Sequence, residues 1–191
     1  MTKIKSPSWK NIPLKTWLFF IAFVVIHFFI LNEYMKPFFA ERHFRDGFNL
    51  HVAQRYKYSI IEFKKAIDYA PWETHYMAEL GRTIENYAKS RTNEEFKQPL
   101  YLELEQLYLH MIELDPRNPW YKNKLANTYT TLSSLFPQKE ASYQEQAHTY
   151  HLSAANTDPN NPLFQLNYAF YIQTEKFLRI QTFPPDSAMK C

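Results

Sequence analysis

Residues 40–71 read AERHFRDGFNLHVAQRYKYSIIEFKKAIDYAP, and their pattern predicts two short helices joined by a turn. In the second half Ile60, Phe63 and Ile67 recur at helical spacing with Ala66 beside them, while Glu62, Lys64, Lys65 and Asp68 fall on other sides. Such a helix has one apolar face and is marginal alone in water, so another helix pair must stack on it. Gly47 leaves the first helix bare at one point of its surface. A neighbouring helix can approach closely there, at a cost of about 1 kcal/mol in helix propensity.

The same residues resemble a tetratricopeptide repeat, a 34-residue helix pair. With Ala40 as its first position, Gly47, Ser59, Phe63, Ala66 and Pro71 stand at the places of its small, aromatic, Ala and closing Pro residues. Two places depart from the pattern, His43 where Trp is usual and Asp46 where an apolar residue is usual. The resemblance implies an all-α fold in which helix pairs stack into a solenoid.

Composition agrees. Only Gly47 and Gly81 are glycine, which argues against strand-rich folds and against glycine-rich nucleotide sites. The 14 Tyr and 16 Phe suit stacked helices and half-buried surfaces better than a catalytic pocket. A net charge of +3 is too small to imply nucleic acid. Cys191 is the one thiol, so the chain can form no internal disulfide.

From Thr16 to Leu31 the chain reads TWLFFIAFVVIHFFIL, and Ile12 to Leu14 extend the apolar run to about 20 residues, the length that crosses roughly 30 Å of hydrocarbon. A cleaved signal peptide requires a shorter run followed by small residues, whereas NEYMKPFFAER places the large Phe38 two before Ala40. A buried core helix would need a greasy surround that the rest of the chain does not offer. The expectation is an uncleaved transmembrane anchor over 14–35, preceded by a short basic tail over 1–13, with Trp17 and Tyr34 at the two water interfaces. Lys3, Lys5, Lys10 and Lys15 precede the run and Lys36, Arg42 and Arg45 follow it, which places the tail in the cytoplasm and the repeats outside a bacterial inner membrane. No second ionisable residue accompanies His27, so it reads as a packed or interfacial residue rather than a proton relay.

Pro71-Trp72, Pro116 before Pro119-Trp120, and Pro159 before Pro162 repeat one punctuation at intervals longer than 34 residues. The extra length is expected in longer helices or in inserted segments at Ser90 to Pro99 and Ser134 to Gln144. Leu80-Gly81 and Leu125-Ala126 restore the front halves of the second and third pairs, and Ala147, His151 and Ala154 the back half of the third. In the second pair Leu104, Tyr108 and Met111 stand where the family has smaller residues. Leu166, Tyr168, Ala169 and Ile172 begin a fourth, capping helix. The repeats, about three pairs and the cap, span 40–180, and a flexible tail spans 181–191.

A narrower resemblance covers about Arg42 to Tyr171, carried by APWETHYMAELGRTIENYA, LDPRNPWYKNKLANTY and TDPNNPLFQLNYAFY. These phrases are similar to the repeat region after the last membrane helices of bacterial O-antigen ligase and polysaccharide polymerase proteins. Those enzymes act through a many-spanning domain that this chain lacks. The resemblance implies a non-catalytic component of envelope polysaccharide machinery and no transferase activity.

Little in the chain resembles chemistry. His148 and His151 lie three apart on a predicted helix, and His43 and His51 eight apart, but no further ligand completes a metal set. Glu94-Glu95 and Glu103 with Glu105 are too close in sequence to face one another on a helix. No nucleophile elbow is present, and no catalytic residue, cofactor or metal is expected.

Function is therefore expected in surfaces. In tetratricopeptide arrays the first helices of successive pairs line a concave groove that takes peptides. The resemblance carries that role onto Phe44, Phe48 and His51, then His75, Arg82, Glu85 and Asn86, then Trp120, Asn123, Asn127 and Thr130. Phe44 and Phe48 occupy places where the carboxylate-gripping subfamily needs Lys and Asn, so that binding mode is not implied; packing against the membrane or anchor is their alternative use. Trp72 and Trp120 could stack on sugars or pack on a neighbouring pair. The reading is a non-enzymatic membrane scaffold for protein partners, an accessory subunit of a larger membrane complex, in contact with the lipid bilayer, with glycan contact as an alternative.

Overall fold

A computed structural model describes residues 13–182, with side chains for residues 13–174. Among the described residues the regular structure is helical, in the order α1 (Leu14–Val52), α2 (Tyr56–Tyr69), α3 (Thr74–Lys89), α4 (Glu94–Leu114), α5 (Pro119–Leu135), a 3-10 turn (Pro137–Lys139), α6 (Glu140–Thr157) and α7 (Pro162–Thr182). Each helix packs chiefly on its neighbours in sequence, the arrangement of stacked helix pairs in a solenoid. The tails, 1–12 and 183–191, and with them Lys3, Lys5, Lys10 and Cys191, lie outside the described residues.

The stretch expected as an anchor and the first repeat helix, separate in the sequence reading, are consecutive parts of one helix. α1 continues through Pro37, which removes one backbone donor and crowds the preceding turn. No glycine punctuates Asn32 to Ala40, and beyond the proline the helix is held by packing on α2. Between Leu14 and Val52 the most apolar 18-residue window has a mean hydropathy of 2.2 and is 0% buried, so α1 is long and apolar enough to cross a membrane. His27 turns Nδ1 to the Phe23 carbonyl at 2.8 Å.

α1 ends without glycine. Gln54 takes a left-handed φ of 57°, its N–H donates to the His51 carbonyl (2.9 Å), and the Arg55 N–H donates to the Leu50 carbonyl (2.9 Å). These are the two bonds of a Schellman motif. The chain reverses, and α2 runs back along α1. A Cβ at Gly47 would stand 2.9 Å from Phe63 Cδ1, while the Gly47 carbonyl accepts from Ser59 Oγ at 2.7 Å. The bare position is filled by a fully buried ring of the partner helix.

Gly81 repeats the device. A Cβ there would stand 2.7 Å from the Tyr108 hydroxyl oxygen, so the larger Tyr108 is accommodated by the glycine opposite it. Leu104 and Met111 are wholly buried beside it. The two segments expected as insertions are helical for most of their length. Asn93 caps α4 by accepting from the Glu95 N–H at 2.9 Å, and Glu94 and Glu95 suit the positive end of the helix dipole, so helix resumes within SRTNEEFKQP and carries Pro99 inside it. The second segment is shortened by the 3-10 turn, after which α6 begins at Glu140.

The main core runs from Phe63 through Met77, Ile84, Leu104, Leu125 and Leu132 to Tyr171. A smaller cluster of Ala154, Ala155 and Phe164 attaches the start of α7 to α6.

Candidate functional site

The end of α1, then α3, α5 and α7, are the first helices of successive pairs, the helices expected to line the groove. Two cavities meet there at Asn127. One, of about 240 Å³, lies between α3 and α5 and is lined by Glu85, Lys89, Tyr101, Lys124 and Thr131. The other, of about 330 Å³, lies between α5 and α7 and is lined by Thr130, Ser133, Gln144, His151, Asn167 and Phe170 among others.

One side of the smaller cavity is an ionic and hydrogen-bonded knot. Glu85 accepts from the Tyr108 hydroxyl at 2.8 Å and from Lys124 Nζ at 2.9 and 3.1 Å, tying α3, α4 and α5 together. Burial first, and the Glu85 charge second, push the Tyr108 phenol far above its ordinary range. Tyr108 is therefore a neutral donor at any physiological pH. Asn123, almost wholly buried, accepts from Asn167 Nδ2 at 3.2 Å and so joins α5 to α7.

His151 lines the larger cavity from α6 and is 3% exposed. Its ring packs on Tyr171 at 5.1 Å, and its Nδ1 is buried with no hydrogen-bond partner among the described residues. Burial, with a contribution from His148, lowers its pKa to about 4. The imidazole is neutral near pH 7, so the cavity combines aromatic rings with uncharged amide, hydroxyl and imidazole groups, and Glu140 also lines it. Such a lining suits an apolar or amide-bearing side chain and the backbone beside it.

The residues expected in the groove divide. Asn127 and Thr130 line its cavities and are exposed, Arg82 and His75 are exposed on α3, and Glu85 and Asn123 join helices as described. Arg82 pairs with Glu79 on the same helix. Phe44 fills the junction of three helices, with ring centroids 5.6 Å from Phe63, 5.1 Å from His75 and 4.7 Å from Tyr76. Phe48, 6.5 Å from Phe44, is 41% exposed. His51 Nδ1 meets Thr83 Oγ1 at 2.8 Å and its Nε2 faces Asn86 Nδ2 at 3.5 Å, so His51 and Asn86 form one cluster between α1 and α3. Burial first, and Arg82 next, lower the His51 pKa.

Trp120 packs edge-on against Phe164 at 5.0 Å and stays half exposed, while Trp72 is 61% exposed. Trp17 and Tyr34 are exposed on α1. The histidine pairs considered as ligands have separate partners: His43 meets Glu62 at 2.7 Å, and His148 meets the Tyr168 hydroxyl at 3.1 Å. Among the described residues no three His, Cys, Asp or Glu side chains converge. Sequence reasoning did not assign Lys124, Gln144, Asn167 or Phe170 to the groove: α7, which carries Asn167 and Phe170, reads as a cap, Gln144 reads as the end of an inserted segment, and Lys124 is not among the positions that the repeat resemblance carries over.

No family model and no curated protein matches the chain. Among solved structures it is similar to PcrH, whose structure is a complex with the chaperone binding region of PopD; the TM-score is 0.51 at 15% sequence identity, over 75% of this chain and 92% of that one. The likeness extends to the fold, a stack of paired helices.

Proposed function

We propose that the chain is a membrane-anchored, non-enzymatic scaffold whose groove holds a segment of a partner protein. The observation that carries this reading is the pair of cavities meeting at Asn127 on the face where stacked helix pairs take peptides. The fold shared with PcrH, solved with a segment of PopD, supports a protein segment as the ligand. Peptide backbone would find Asn127, Thr130, Gln144 and Asn167 as donors and acceptors, and an apolar side chain would find Phe170.

The apolar half of α1 supports an anchor in a bacterial inner membrane, with the repeats on the outer side as the flanking lysines suggest. In this reading the scaffold is an accessory subunit of a larger membrane assembly. The polysaccharide machinery whose repeats this chain resembles is one such assembly.

The test is purification of the full chain in mild detergent, beside an Asn127→Arg variant that projects a long charged side chain into both cavities. A partner in fixed stoichiometry with the wild type, and its loss from a variant of unchanged helicity, is the expected result. A lone monomer, or a partner retained by the variant, overturns the groove reading.

A further inference from the structure

α1 does more than tether the repeats. It is a single helix across the proposed membrane exit and into the first pair, so elements packed on its upper half have a fixed height above the bilayer. Tyr34 marks the expected water interface, and at about 1.5 Å per residue Phe39 and Glu41 stand only about 7 to 11 Å further along the axis.

The turn between α2 and α3 is brought back to that height. Tyr69 stacks on His43 with centroids 5.8 Å apart and lies 5.6 Å from Phe39. On the far side of the turn the Tyr76 hydroxyl donates to Glu41 at 3.2 Å. Trp72 therefore sits between two residues pinned to the first turns of α1 outside the apolar run. The polar layer on each side of a bilayer is roughly 5 to 8 Å deep, and an indole reaches several ångströms beyond its backbone.

Trp72 is 61% exposed and Phe38, on the adjoining part of α1, is 63% exposed. The other half-exposed tryptophan outside the apolar run differs: Trp120 lies in the first turn of α5, and Phe164 of the following pair covers one side of it. The residue left open is the one nearest the membrane exit.

We infer that the Trp72 indole, with Phe38 beside it, rests in the headgroup layer of the bilayer and gives the repeat domain a second foot on the lipid surface. The inference rests on the anchor reading under the proposed function. An indole is suited to that layer because its ring is apolar and its N–H finds water or ester oxygens. Arg42, Asp68 and Glu73 near the foot carry opposing charges, with Lys36 already paired to Glu33 at 2.7 Å, so the contact does not depend on anionic lipid. Two feet fix the tilt of α3, and with it the direction in which the groove opens.

The experiment uses the full chain in phosphatidylcholine vesicles, with Trp9→Phe, Trp17→Phe and Trp120→Phe leaving Trp72 as the one indole. Flotation after alkaline washing reads the anchor, and circular dichroism reads the fold. Phosphatidylcholine brominated high on its acyl chains is expected to quench Trp72 more than lipid brominated near the chain ends. Replacing part of the lipid with phosphatidylglycerol is expected to leave the quenching unchanged. Should the triple variant lose helicity, the same quenching is read as the difference between wild type and Trp72→Phe. Floating, folded chain whose Trp72 ignores both brominated lipids and is quenched by aqueous iodide overturns the second foot and leaves the anchor standing. Chain that does not float overturns both.

Discussion

His151 shows how a buried side chain couples the groove to pH. Its imidazole titrates near pH 4 in the folded chain and near 6.5 when unfolded, because burial penalises the cation. Between those values the unfolded chain binds more protons, so stability falls as pH drops from about 6.5 towards 4 and is insensitive to this group above that window. The lowered pKa of His51 acts in the same direction. Denaturant unfolding of wild type and His151→Gln across pH 4 to 7 should therefore show a shallower slope in the variant. Equal slopes would show that the ring is solvated or paired in solution. Glu62 acts in the same direction at lower pH: burial raises its pKa, but hydrogen bonds from Lys65 and His43 outweigh it and hold the carboxyl below its ordinary value, so its contribution is lost as pH falls through that lowered value.

Between helices, the strongest constraint is glycine facing an aromatic ring. At Gly47 the opposing ring is Phe63, and at Gly81 it is Tyr108, whose hydroxyl is held by Glu85. Neither ring sits on a surface where it could swing aside, since both are buried. Gly81→Ala gains about 1 kcal/mol in helix propensity, yet overpacking of this kind costs roughly 1 to 3 kcal/mol. The expected net effect is a lower thermal midpoint, partly restored in Gly81→Ala/Tyr108→Phe because the atom nearest the new methyl group is gone. A double-mutant cycle in thermal unfolding measures that coupling, and additive effects would mean the α3–α4 contact is looser than its geometry. The same closeness explains how the large Tyr108 fits into the second pair. Size was traded across the interface, and the exchange is visible only with both helices in place.

Taken as one body, the solenoid is a line of neighbours, so stability is highest where a helix is flanked on both sides. α3, α4 and α5 share the main core, whereas the first turns of α7 rest on the small cluster around Phe164. Hydrogen exchange of the full chain should therefore show the amides of α7 opening before those of α3 to α5. Protection of α7 equal to that of α4 would point to a covering element beyond it. The groove cavity between α5 and α7 lies at this less stable end, where a bound segment would order the helices it bridges.

Periodicity and punctuation were enough to read an all-helical stack of pairs, its proline-closed turns, the close approach at Gly47 and an apolar leading helix. These are local signals: helical spacing, a missing side chain, a helix-stopping ring. Local signals also misled, for the apolar run and the first pair read as separate elements and the polar run after Ser90 read as an insertion, yet helix is retained where capping and flanking contacts support it. The knot of Tyr108, Glu85 and Lys124, the Asn123–Asn167 bridge and the return of Trp72 to the foot of α1 join residues far apart in the chain. Their meeting depends on the angle and register at which one pair lies on the next, and those follow from packing of the folded pairs rather than from the order of residues within any one helix.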